Sequence, residues 1–97
     1  MYYILFYTTA SDYMERRGEF RQLHLEMANT AFEEGEIIMG GALADPPDKA
    51  VIIFKGEGPE VAENFAKNDP YVLNGVVSEW EVRPWTVVIG NKKITPS

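Results

Sequence analysis

Ninety-seven residues, 45% hydrophobic and 25% charged, are enough for one globular domain with a modest core. A formal net charge of −6 sets nucleic acid and anionic membrane surfaces aside as partners. The lack of cysteine excludes disulfides and thiolate metal sites, and one histidine cannot build an imidazole zinc site. A carboxylate-only Mg²⁺ or Ca²⁺ site stays open, but no EF-hand-like spacing points to one and no metal is expected.

The first residues carry no basic segment or long apolar run of the signal-peptide kind. No stretch approaches the roughly 18 apolar residues of a membrane span, and a cytoplasmic location is expected. Residues 2–8, Tyr2-Tyr3-Ile4-Leu5-Phe6-Tyr7-Thr8, read as a strand by composition. Their apolar character does not alternate, so both faces of that strand should be covered.

Residues 9–12 break the run. Asp12 followed by Glu15 has the form of a capping box, opening a helix over residues 13–34 with Gly35 just past its end. Phe20, Leu23, Met27 and Ala31 recur at helical spacing as its buried stripe. His24, the sole histidine, lies within about 40° of Phe20 on that face and should point at the sheet.

Residues 36–43 form a second strand and residues 50–54 a third, joined by a turn holding Pro46 and Pro47. Pro59 should stand near N1 of a second helix whose apolar side is Val61, Ala62, Phe65 and Ala66. Asn68-Asp69-Pro70-Tyr71-Val72 ends it, and Asn74-Gly75 signals a turn. Residues 76–82 form a fourth strand, residues 86–89 offer a short fifth, and residues 91–97 make a polar tail after a single domain at 1–90.

The order β-α-β-β-α-β is the ferredoxin-like α+β arrangement, with an antiparallel sheet covered by helices on one face. The opposite face keeps large apolar side chains. Two such faces pressed together would make a homodimer of the dimeric α+β barrel kind.

His24 and Asp69 are the candidate catalytic pair. A carboxylate on one ring nitrogen fixes the tautomer and stabilises the imidazolium that forms when the other takes a proton. The competing reading makes His24 a packed residue with satisfied nitrogens, and Asp69 an N-cap before Pro70. Tyr71 offers a phenol to the same pocket, or is a core aromatic. Gly40 and Gly41 would let a ligand approach a strand backbone, or mark a bulge. Arg21 would hold a substrate carboxylate or phenolate, or is a solvated charge. Gly56-Glu57-Gly58 is no phosphate-cradling loop, and no cofactor is implied.

Arg21-Gln22-Leu23-His24-Leu25, Gly40-Gly41-Ala42-Leu43, Asn68-Asp69-Pro70-Tyr71-Val72 with Gly75-Val76, and the closing Trp80-Glu81-Val82-Arg83-Pro84-Trp85 together resemble the YCII-related proteins. The resemblance covers about residues 2–85 and implies a dimeric α+β barrel. It places the family's histidine–aspartate pair on His24 and Asp69, and an arginine three residues before the histidine on Arg21. Members have been linked to dehydrochlorination of chlorinated hydroxyaromatics. The expected function is a cofactor-independent lyase or isomerase for a small-molecule substrate. Its rival is a non-catalytic ligand-binding or accessory module.

Overall fold

The strand β1 (Tyr2–Thr9) lies inside a four-stranded antiparallel sheet, and the computed structural model describes residues 1–90 around it. Its neighbours are β3 (Lys49–Lys55) on one side and β4 (Val77–Trp85) on the other, with β2 (Ile37–Ala42) outside β3. The helices are α1 (Tyr13–Glu33), α2 (Glu60–Asn68) and the single turn α3 (Pro70–Leu73). Element order and the sheet order β2-β3-β1-β4 give the expected ferredoxin-like α+β fold.

Period-two geometry sorts the side chains of β1. Tyr3, Leu5 and Tyr7 pair with Phe54, Ile52 and Ala50 across β3, and this set faces the helices. Leu5 and Phe54 are wholly buried there. Ile4 and Phe6 point the other way with Val51, Ile53, Arg83 and Glu81. Phe6, Met39 and Trp85 remain exposed on that side while Tyr2 at its end is buried, so this chain covers the second face of β1 only in part.

α1 ends as expected. Gly35 takes φ of +81°, and the Glu36 and Gly35 N–H groups bond back to the Ala31 and Phe32 carbonyls, closing a Schellman motif. Gly75 likewise supplies the left-handed turn into β4, at φ +71°.

Several local expectations are corrected. Asp12 occupies the N-cap of α1 but makes no capping bond, because its backbone is not extended and its carboxylate faces Arg16 at 3.8 Å. Leu23 is 56% exposed, because the buried row runs through Tyr13, Phe20, Met27 and Ala31, and Leu23 stands about 60° off Phe20, away from His24. Pro59 is the N-cap of α2 rather than N1. β4 continues through Pro84 to Trp85, which an edge strand tolerates, and residues 86–89 form no fifth strand. The tail expected at 91–97 lies outside the described residues.

Candidate active site

Asp69 is placed by local chain chemistry. The residue before a proline is driven out of the helical region, so α2 stops at Asn68 and Asp69 is extended at ψ 125°. Pro70 then starts α3, and the Asp69 carboxylate turns back to accept from the Tyr71 backbone N–H at 3.0 Å. The Asp69 side chain is wholly buried beneath α1.

Two further donors converge on it. The Tyr7 hydroxyl, rising from β1, donates to Oδ2 at 2.6 Å, and His24 Nδ1 on α1 stands 2.9 Å from both oxygens. A carboxylate already receiving a hydroxyl and an amide acts as acceptor, so Nδ1 carries the proton and donates. Asp69 is therefore both the cap of α3 and the partner of His24. The two sequence readings of this residue hold together.

The imidazole is fixed by its neighbours as well. It stacks on Tyr71 with ring centres 4.0 Å apart and planes 9° from parallel, and meets the edge of Phe65 at 6.4 Å. Nε2 has no hydrogen-bond partner among the described residues. No buried side-chain nitrogen there lacks a partner, so Nε2 reaches open space. That space is a cleft of about 660 Å³ between α1 and the β2 side of the sheet, lined by His24, Tyr7 and Tyr71.

Gly40 and Gly41 lie along the β2 side of the cleft, just beyond a register shift between Ile37 and Met39. A Cβ on Gly40 would come within 3.3 Å of the Ile52 side chain, so glycine keeps that part of the cleft clear. Arg21 lines the same cleft, as does Arg17 one turn before it. Arg17 also sits over the Tyr13 ring, 5.7 Å from its centre. Five of the six sequence-predicted site residues line this one cavity, and the sixth, Asp69, is buried behind it against His24.

Sequence reasoning missed Tyr7, Tyr13 and Arg17. Burial, then the charge and hydrogen bond of Asp69, push the Tyr7 phenol far above the ordinary tyrosine range. Burial and the neighbouring Tyr13 also push Tyr71 up, against the opposing pull of Arg21 and Arg17. Both phenols are therefore donors rather than phenolates near neutral pH. Tyr7 was hidden in a run of similar aromatics. Only its inward position in β1 could have singled it out.

Among the described residues no group of acidic and histidine side chains is suited to hold a metal ion, and no helix is long and apolar enough to cross a membrane. The YCII-related domain family matches residues 1–86, nearly all of the chain described. The chain belongs to the YCII-related family. Protein YciI of Escherichia coli O6:H1 is 29% identical over 97 residues, covering 91% of this chain and 99% of that protein, and YciI of Shigella flexneri matches equally. A Haemophilus influenzae protein is also 29% identical over the same shares.

Among solved structures, the YCII-related chain is similar to 5-chloro-2-hydroxyhydroquinone dehydrochlorinase of Burkholderia phenoliruptrix AC1100, in complex with 2,5-dihydroxybenzoquinone. The TM-score is 0.76 at 17% identity, covering 90% of this chain and 95% of that one. A protein of Agrobacterium tumefaciens gives a TM-score of 0.53 at 14% identity, with 86% and 89% covered. At these identities the likeness is one of fold.

Proposed function

We propose that this YCII-related protein is a cofactor-independent acid/base enzyme of the lyase or isomerase kind, acting on a small planar substrate between α1 and the sheet. The observation that carries the reading is a buried carboxylate on His24 Nδ1 with Nε2 left open to the cleft. Nε2 has a lone pair for a substrate proton, and Asp69 stabilises the imidazolium formed by taking it. When that proton leaves a carbon beside a carbonyl, the electron pair of the C–H bond moves onto the carbonyl oxygen. The neutral phenol of Tyr71, or else Arg21, would stabilise the resulting oxyanion. Returning the proton to another carbon completes an isomerisation, whereas expelling a leaving group from the neighbouring carbon completes an elimination. The dehydrochlorinase of similar fold lends the second outcome support by architecture alone.

A binding module without turnover is the second reading, favoured by one observation. Asp69 caps α3 and receives Tyr7 whether or not His24 ever moves a proton. The deciding experiment is an NMR titration of the single histidine in wild type and Asp69→Asn. Under the enzyme reading, loss of the carboxylate charge moves the ring's titration to lower pH. An unchanged titration would leave Asp69 a structural cap and favour the binding module. Assembly as a homodimer through the open sheet face completes the proposal, supported by the exposed Phe6, Met39 and Trp85.

A further inference from the structure

The cleft differs in charge from the rest of the protein. The chain carries 15 acidic side chains against 9 lysines and arginines, and all 15 acids fall within residues 1–90. None of them lines the cleft, whereas Arg17 and Arg21 both do. The wall around His24 is therefore cationic in an acidic protein.

The four arginines of the chain separate into two kinds. Arg16 donates to the Asn74 and Gly75 carbonyls and faces Asp12, and Arg83 faces Glu81 at 3.6 Å. Arg17 and Arg21 have no carboxylate within ion-pair distance among the described residues. They stand four residues apart on one helix, which brings their side chains together and makes the two charges repel. Arg17 lies over the Tyr13 ring and Arg21 beside the Tyr71 phenol, but both partners are neutral and no described carboxylate balances either charge. An anion lying between them would.

Below the arginines the same helix flank continues with His24 and Ala28, and the cleft's far wall is apolar through Ile52 and Val77. A charged end and an apolar depth are thus joined in one cavity. A guanidinium suits a planar carboxylate or phenolate, to which it can donate two parallel hydrogen bonds. We infer that the ligand of this cleft is a small organic anion, its carboxylate or phenolate held by Arg17 and Arg21 and its body against the apolar wall beside His24. The inference rests on the proposed active site and adds the charge of its substrate. In this arrangement the anionic group is recognised before any chemistry, and His24 Nε2 meets the neutral part of the molecule.

The test compares benzoate with benzamide, which has nearly the same shape and no charge, by NMR titration of the full chain. Benzoate should bind at least about tenfold more tightly at low ionic strength, and its advantage should shrink as salt rises. In the Arg17→Gln/Arg21→Gln double variant the two probes should bind alike. Glutamine keeps the helix propensity of these positions, Arg17 half-buried and Arg21 exposed, so the variant folds. Equal affinity in wild type, a preference that survives in the double variant, or no binding of benzoate overturns the inference.

The His24 titration with Asp69→Asn, read in parallel, separates this failure from that of the proposed function. Coupling of His24 to Asp69 without a benzoate preference removes the anion and leaves the acid/base pair. A preference without coupling leaves an anion-binding site and removes the enzyme.

Discussion

The two faces of the sheet each carry a cation–carboxylate pair, and the two pairs are held in opposite ways. On the helix-covered face His24 Nδ1 meets Asp69 at 2.9 Å with side chains 15% and 0% exposed. On the open face Arg83 meets Glu81 at 3.6 Å with side chains 67% and 64% exposed. Water already solvates both partners of the second pair, so their attraction is screened and contributes little. Asp69 is wholly buried, and its charge is tolerated because three protein donors take the place of bulk solvent. The same two charge types thus produce a fixed site in one place and a loose surface contact in the other. Burial decides the difference.

Removing Asp69 should give the largest effect. Asp69→Ala takes away the cap of α3 and leaves the Tyr7 hydroxyl buried without an acceptor, at a cost of about 3–5 kcal/mol in urea unfolding. Glu81→Ala on the open face should stay within about 0.5 kcal/mol of wild type. Similar losses for both variants would erase the contrast between the two faces.

Tyr7→Phe should come next, costing about 1.5–3 kcal/mol near neutral pH because it removes one hydrogen bond to a buried charge. It also carries a pH signature. The folded protein holds the Tyr7 proton well above the ordinary value of 10.0, whereas the unfolded chain releases it there. Its stabilisation is therefore complete below pH 10 and is lost as pH rises beyond, by about 1.4 kcal/mol per unit. Tyr7→Phe lacks that loss, so the stabilities of variant and wild type should converge between pH 10 and 11. A constant gap across that range would mean that Tyr7 ionises in the folded state.

Phe6→Asp on the open face, where the ring is 37% exposed and stands opposite Glu81, bears on assembly rather than on the buried site. Light scattering would read its consequence. Wild type should weigh two chains and the variant one, and a wild type of one chain would end the pairing proposal.

Much of this was legible in the sequence. Asp-Pro at the end of an apolar helix and a lone histidine on an inward helical face are local signals, and they marked the two residues that the fold brings into contact. The order of elements was legible for the same reason, since turn residues and hydrophobic period act over a few positions. What escaped depended on distance in the chain. Tyr7 touches a residue 62 positions away, and its place is set by sheet register rather than by its neighbours in sequence. Arg17 looks like any solvated charge until the acids are seen to lie elsewhere. Asp12 failed as a cap through backbone geometry that its capping-box partner Glu15 does not reveal.

Because one carboxylate serves both helix capping and the histidine, its retention in a related protein is a poor marker of activity. A descendant that abandoned chemistry would still need Asp69 to fold, and would keep it. Arg17 and Arg21 carry a lighter obligation, since neither caps a helix nor pairs with a described carboxylate, and their contacts are with the Tyr13 and Tyr71 rings alone. Loss of function in this lineage should therefore be written first in the arginines, while the aspartate stays behind.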